Sequence, residues 1–305
     1  MKNILITGAG GFIGSRCVEY ARKAGWNCKL LSRSEIQGYD TVKFNLMTDS
    51  VDRLNLEGID AVIHLAGVAH NLKTPTSLDD KMYKEVNVCF SEKLARKSIE
   101  FNVKRFIFVS SIKAGGIPIM GKIHDESFVG KVDGIYGESK LEAESRLLSL
   151  QQKYDYGLTI IRPALVYGSN VKGNLKSMLN LIRKGICPPL PEVNNKRSMI
   201  HVDDLVIAIF HLIDNDSSIA NVYNATDNEY YSARKIYENL CRSLSVTPHS
   251  WSVPKIFFDF AGLFSPKLND SISKLFSDAC FSSYKLNHLG FKAVFKLKNI
   301  NQKLF

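Results

Sequence analysis

The chain opens Met1-Lys2-Asn3-Ile4-Leu5-Ile6-Thr7-Gly8-Ala9-Gly10-Gly11-Phe12-Ile13-Gly14, an apolar run that passes directly into a cluster of glycines. Residues 4–6 are β-formers bounded by turn residues, which predicts a short buried strand. From Cys17 onward a helical pattern follows. A glycine-rich turn between a first strand and a first helix lets a pyrophosphate approach the backbone, where the helix N-terminus offers N–H groups and the positive end of its dipole. The spacing Gly8-x-x-Gly11-x-x-Gly14 differs from the ordinary G-x-G-x-x-G, so the turn alone leaves a purely structural role open. A lysine followed by apolar residues also resembles an export signal, but here the glycines interrupt the run and no small-residue cleavage site follows.

Working outward, the 305 residues are 45% hydrophobic, and no stretch approaches the about 18 apolar residues of a membrane span. The expectation is a protein without membrane insertion. Six cysteines are scattered with no CxxC pair, and seven histidines show no HExxH spacing, which predicts neither a disulfide framework nor a metal site and fits a reducing, cytoplasmic location. The formal charge of +10 raises nucleic acid or another polyanion as a partner. Basic residues are spread along the chain, with one bias in the tail Lys285–Phe305, so an ordinary solvated basic face is preferred over a nucleic-acid or membrane patch.

Short apolar segments at Ile4–Ile6, Cys28–Leu31, Ala61–Leu65, Arg105–Val109, Leu158–Ile161 and Val222–Ala225 read as strands covered on both faces. Helical patterns lie between them at Gly14–Ala24, Leu78–Phe101 and Ser139–Tyr154, the second with Met82, Val86, Phe90 and Leu94 on one face. That alternation predicts an α/β fold, a Rossmann-type doubly wound parallel sheet. After Tyr167 the texture turns to Gly/Pro-rich loops and isolated helices. Residues 1–167 are therefore expected to form the dinucleotide-binding domain, with the strand near 222–225 returning to it, and residues 168–305 mainly a smaller irregular α/β substrate lobe.

Six stretches stand in order: "TGAGGFIG" at Thr7–Gly14, "HLAG" at His64–Gly67, "VSS" at Val109–Ser111, "YGESK" at Tyr136–Lys140, "RPALVYG" at Arg162–Gly168 and "RSMIHVDDL" at Arg197–Leu205. Together they resemble the extended short-chain dehydrogenase/reductases, in the branch of NAD-dependent nucleotide-sugar epimerases, dehydratases and reductases, over essentially the whole chain. Tyr136 and Lys140, four residues apart, share one helix face, where an ammonium and an oxidised nicotinamide can draw the phenol's pKa down toward working pH for acid–base work. By itself the YxxxK spacing also fits an ordinary surface pair. Ser111 ends a buried strand and by resemblance is the catalytic hydroxyl that hydrogen-bonds the reacting oxygen. Ser110 is read as structural, facing the other way.

The resemblance places Gly8, Gly11, Phe12, Ile13, Gly14, Leu65, Ala66, Gly67 and Pro163 along the dinucleotide, and Asn87 as support for the loop on its nicotinamide side. His64 is read as packed. At the end of the second strand stand Ser32 and Arg33 with no acid before Glu35, which favours NADP(H) over NAD(H); an exposed Arg33 that touches nothing is the alternative. In the substrate lobe Asn174 and Leu175 resemble the pair that contacts the nucleotide, and Arg197 the arginine that clamps its diphosphate, as its fork suits. A salt bridge from Arg197 to Asp203 or Asp204 is the competing use. Leu165 stands where many relatives carry asparagine, and any diphosphate contact of that asparagine is lost.

Dehydratases of the branch place an Asp-Glu pair after the catalytic residue, and here Ile112 and Lys113 follow. The stretches "SSIK", "RPALVYG", "VKGNL" and "NNKRSMI" resemble enzymes that reduce a UDP-4-keto-6-deoxy-N-acetylhexosamine in surface-polysaccharide synthesis. A 4-ketoreductase is thus preferred to a 4-epimerase, with a UDP-sugar as partner and a homodimer built on the two long helices. Dinucleotide-sensing members that have lost catalysis typically lack the Tyr/Lys pair, which is intact here.

Overall fold

The computed structural model describes residues 1–69 and 77–300. The side chain of Leu78, in the expected second helix, and the last five residues of the basic tail lie outside the described residues. The first half runs β1 (Asn3–Thr7), α1 (Phe12–Lys23), β2 (Asn27–Ser32), β3 (Asp40–Lys43), β4 (Ala61–His64), α2 (Ser77–Tyr83), α3 (Phe90–Glu100), β5 (Arg105–Val109), α4 (Ile135–Tyr154) and β6 (Leu158–Pro163). The second half runs β7 (Leu165–Tyr167), α5 (Gly173–Arg183), β8 (Arg197–His201), α6 (Val202–Asp214), β9 (Asn221–Ala225), β10 (Tyr230–Tyr231), α7 (Ala233–Ser243), α8 (Lys255–Leu263), α9 (Pro266–Phe276) and α10 (Tyr284–His288).

Seven strands form one parallel sheet in the order β3-β2-β1-β4-β5-β6-β9. Strand order therefore reverses between β1 and β4, and open α/β sheets bind ligands outside the carboxyl ends of their strands at such a point. Alternation along each strand divides the core in two. Ile4, Ile6, Ile63 and Ile107 face α1 and α6, whereas Leu5, Val62, Phe106 and Phe108 face α3 and α4. A third cluster, including Leu175, Leu179, Met199, Tyr237 and Leu240, forms the C-terminal lobe around the small sheet β10-β8-β7. The chain crosses between lobes more than once: α6 and β9 follow the start of the C-terminal lobe in sequence yet pack on the large sheet.

Two elements differ from the sequence reading. Strand β3 is an edge strand with half-exposed residues, Asp-Thr-Val-Lys, too polar to register as an apolar run. The expected helix from Leu78 is α2 and α3 joined by a π-helical turn, Lys84–Cys89. The six cysteines are free thiols.

Candidate active site

The glycine turn is shaped by what it must avoid. Gly8 has φ +70, and a Cβ there would lie 2.9 Å from the Ala66 nitrogen; a Cβ on Gly14 would lie 2.1 Å from the Gly8 carbonyl oxygen. Gly11 caps α1 without a side chain, and no acid occupies the helix's first turn. The first N–H groups of α1 thus keep their donors for an outside acceptor, as a pyrophosphate requires. Phe12, the first residue of α1, packs against the C-terminal lobe, and Ile13 against the large-sheet core. Ser32 ends β2 close to Gly10, with its hydroxyl 3.6 Å from where a Cβ would stand. Arg33 follows on the exposed surface. Pro163, buried at the end of β6, pairs with Ala225.

A chain of hydrogen bonds ties these strand ends together. The Ala66 N–H donates to Thr7 Oγ1 (3.1 Å), and Thr7 Oγ1 lies 2.7 Å from His64 Nδ1. His64 Nε2 lies 2.8 Å from Ser91 Oγ, which donates to the Asn87 carbonyl at 2.7 Å. Since the serine proton is used on Asn87, His64 donates from Nε2 and accepts at Nδ1. Burial, helped by the charge of Lys140, pushes the imidazole down to about 3, so it is neutral. The Asn87 side chain, on the π turn, accepts from Val68 N–H (2.8 Å) and donates to the Val68 carbonyl (3.0 Å) and Ser139 Oγ (2.9 Å). Ser139 donates to the Tyr136 carbonyl at 2.9 Å. Asn87 thereby holds both the irregular segment that runs on through Leu65, Ala66 and Gly67 to Val68 and the helix that carries Tyr136. Gly67 leaves space for this: a Cβ there would meet Asn87 Oδ1 at 3.0 Å and Lys140 Nζ at 3.6 Å.

Tyr136 and Lys140 occupy the first two turns of α4, and Ser111 follows β5, its hydroxyl accepting from Lys113 N–H at 3.2 Å. Lys140 Nζ donates to the Val109 carbonyl (2.9 Å) and lies 4.6 Å from the Phe108 ring centre. Burial draws this ammonium down to about 8, opposed by Glu144, which itself pairs with Arg162 (Nε to Oε1, 2.9 Å). Burial pushes the Tyr136 phenol up to about 12, opposed by its hydrogen bond with Ser111. Lys140 is not among the groups that move the phenol in this arrangement; its ammonium is held by the Val109 carbonyl and the Phe108 ring. Lys113 Nζ lies 5.6 Å from the Tyr136 ring centre. Ser110 Oγ is buried with no hydrogen-bond partner among the described residues.

In the second lobe the outcome is mixed. Asn174 is exposed in the first turn of α5, but Leu175 is turned into the lobe's core, 3% exposed, so its side chain is withdrawn from any substrate. Leu165 likewise packs toward that core. Arg197 forms no salt bridge with Asp203 or Asp204. Asp203 is taken by Arg16 (2.7 Å), and Asp204 accepts from the Val294 and Phe295 N–H groups. Arg197 Nη1 instead donates to the Lys274 carbonyl and to the Ser277 carbonyl (3.1 Å), beyond the sequence reading's reach because those residues lie some eighty positions away. Among the described residues no group of three or more His, Cys, Asp or Glu is placed to hold a metal, and no helix is long and apolar enough to cross a membrane.

Residues 4–226 match the model of the NAD dependent epimerase/dehydratase family. The chain belongs to this family. A UDP-glucose 4-epimerase of Vibrio cholerae is 32% identical, covering 83% of this chain and 78% of that protein. The N-acetyl-alpha-D-glucosaminyl-diphospho-ditrans,octacis-undecaprenol 4-epimerase of Escherichia coli O157:H7 is 29% identical over 83% and 75% of the two chains. The fold matches the crystal structure of a UDP-N-acetylglucosamine 4-epimerase from Bacillus cereus, with TM-score 0.78, 18% identity and coverage of 98% and 96%. As a member of the NAD-dependent epimerase/dehydratase family the protein is an enzyme, and its glycine turn and open α1 terminus fit a nicotinamide dinucleotide.

Proposed function

We propose that the protein interconverts hydroxyl and ketone at C4 of a diphosphate-linked sugar, acting as a UDP-hexose or UDP-N-acetylhexosamine 4-epimerase. The observation that carries the reading is the meeting of Ser111, Tyr136 and Lys140 at the carboxyl ends of β5 and α4's first turns, beside the glycine turn. The 4-epimerase names of the relatives from Vibrio cholerae and Escherichia coli support epimerisation, which we set ahead of the 4-ketoreduction preferred from sequence. Reduction of a UDP-4-keto-6-deoxy-hexosamine with NADPH remains the second reading, favoured by Arg33 and by the lack of an acid at the end of β2.

When bound, the nicotinamide supplies hydride exchange at C4 and, oxidised, a positive charge that lowers the Tyr136 phenol. Tyr136 takes the C4 hydroxyl proton on oxidation and returns it on reduction. Ser111 hydrogen-bonds the same oxygen and holds the phenol in line. Lys140, anchored on Val109, presents its charge to the cofactor side of the site, with Asn87 fixing the Val68 segment beside it. Asn174 would contact the nucleotide, and Arg197 would meet the diphosphate with the part of its guanidinium not bonded to the Lys274 and Ser277 carbonyls. Lys113 replaces the acid that elimination of water would need, so the site is built for oxidoreduction without dehydration.

The test is incubation of purified protein with UDP-glucose or UDP-N-acetylglucosamine without added cofactor, followed by chromatography of the C4 epimers. Epimer formation with dinucleotide retained on the protein is expected. Stoichiometric NADPH oxidation with a 4-keto sugar nucleotide, and no epimer from either hexose, would establish the reductase instead.

A further inference from the structure

The helical hairpin α8–α9 is apolar on the side that should be polar. Its inner side is used: Phe258 packs edge-on against Phe276 with ring centres 5.5 Å apart, and Gly262 lies under Asn269. On the outer side Phe257, Phe260, Leu263 and Phe264 are 62%, 60%, 80% and 75% exposed. They follow one another at helical spacing, so they form a contiguous stripe. A surface helix ordinarily presents charged residues there, and soluble proteins seldom leave so large an apolar patch uncovered.

The stripe adjoins a basic surface. Exposed Trp251 precedes α8, and Arg234 bridges its carbonyl to that of Leu190 with two 3.1 Å hydrogen bonds, while Val253 N–H donates to Pro189. The loop so held begins at exposed Ile186 and follows α5. From Lys172 to Pro191 the chain carries Lys172, Lys176, Arg183 and Lys184 and no acid, and all four are exposed without an ion pair among the described residues. An aromatic stripe edged by unpaired cations has the composition of a surface that enters the headgroup region of an anionic bilayer.

We infer that α8–α9, with the Lys172–Pro191 segment beside it, docks the protein on an anionic phospholipid bilayer. The apolar stripe enters the interface, and Arg183 and Lys184, which lead into the loop tied to the start of α8, meet the lipid phosphates. The basic surplus, expected from sequence to be an ordinary solvated face, thus has a use on this side. Docking also bears on the cleft, because Arg197 grips the C-terminal turn of α9 through the Lys274 and Ser277 carbonyls. If Arg197 serves the diphosphate as proposed above, a sugar diphosphate carried on a lipid would be presented to it from this side.

Binding is independent of turnover, so its failure and that of the C4 reading are told apart by a sedimentation assay with vesicles of mixed phosphatidylcholine and phosphatidylglycerol. Wild type is expected to sediment with the mixed vesicles and to bind pure phosphatidylcholine at least about tenfold less, with salt weakening the difference. Phe257→Ser/Phe260→Ser/Leu263→Ser and, separately, Arg183→Ser/Lys184→Ser should each cost about tenfold or more. In a Trp26→Phe background that leaves the surface intact, brominated lipid should quench Trp251. Absence of binding at low salt, equal binding to both vesicles, unchanged binding by the triple variant, or an unquenched Trp251 would each overturn the inference. So would a wild-type oligomer that the triple variant dissolves while neither protein binds vesicles, which would assign the stripe to a second copy of the chain.

Discussion

His64 offers the sharpest test of how the site is held together, because its protonation would break a relay whose every donor is assigned. Neutral, it accepts from Thr7 at Nδ1 and donates to Ser91 from Nε2; protonated, it would present two donors and add a buried charge beside Lys140. The imidazole sits at about 3 in the folded protein against 6.5 in the unfolded chain. The unfolded state therefore binds the extra proton across this window, and the stability contributed by neutral His64 is complete above pH 6.5 and lost as pH falls toward 3. At about 1.4 kcal/mol per pKa unit the whole effect is on the order of 4–5 kcal/mol, with a slope approaching one proton in the middle of the window. Asp227 works in the opposite sense: burial pushes it up to about 6, so its contribution is lost as pH rises from 3.8 through 6. A comparison with His64→Gln, in which Asp227 titrates identically, removes that contribution. The assay is urea unfolding of both proteins at several pH values between 3.5 and 7. The stability of wild type relative to the variant should be greatest near neutrality and decline toward acid by about 1 kcal/mol or more per pH unit. Parallel curves would mean that His64 is not held neutral and that the assigned relay is wrong.

Tyr136→Phe should lower kcat on the order of 100- to 10,000-fold with dinucleotide affinity almost unchanged, as steady-state kinetics and fluorescence titration would show; retention of most of kcat would move the proton transfer elsewhere. Lys140→Met should impair turnover and cofactor binding together, whereas Ser111→Ala should be milder than Tyr136→Phe, and the same titrations separate the three. Arg33→Ala should weaken NADPH more than NADH if Arg33 reads the extra phosphate, a charge-assisted contact of roughly 1.5–3 kcal/mol, and equal losses would remove NADP from the assignment. Light scattering over a range of concentrations should give an isologous homodimer through α3 and α4, and a monomer mass at every concentration would refute it.

Much of this architecture could be read from the sequence because strands buried on both faces leave continuous apolar runs, and because a phosphate turn needs glycine where any Cβ would collide. Gly8, Gly14 and the Tyr136/Lys140 spacing lie in short local motifs whose order along the chain, more than any one of them alone, gave them their meaning. What escaped depended on partners far away in the chain. The use of Asp203 by Arg16, and of Arg197 by carbonyls at the end of α9, follows from packing between lobes that no local pattern encodes. The π turn at Lys84–Cys89 alters which residues share a helix face, and a repeat of apolar residues at intervals of four cannot distinguish it from regular helix. Leu175 and the α8 stripe show the same limit from opposite sides. An apolar residue announces a preference for burial, but the tertiary fold decides whether it reaches a core or faces outward.

The return of α6 and β9 to the large sheet fixes an order of events during synthesis. When residue 163 has left the ribosome, six of the seven parallel strands exist, but the face formed by Ile4, Ile6, Ile63 and Ile107 still lacks α6, and β6 is an open edge. The small lobe's β7 and β8 must emerge before that face is covered and the edge is paired. A nascent chain of this protein therefore carries a sheet face covered only by α1 until about sixty further residues have been made, a span of several seconds at about 5–20 residues per second, and depends on protection from association throughout it.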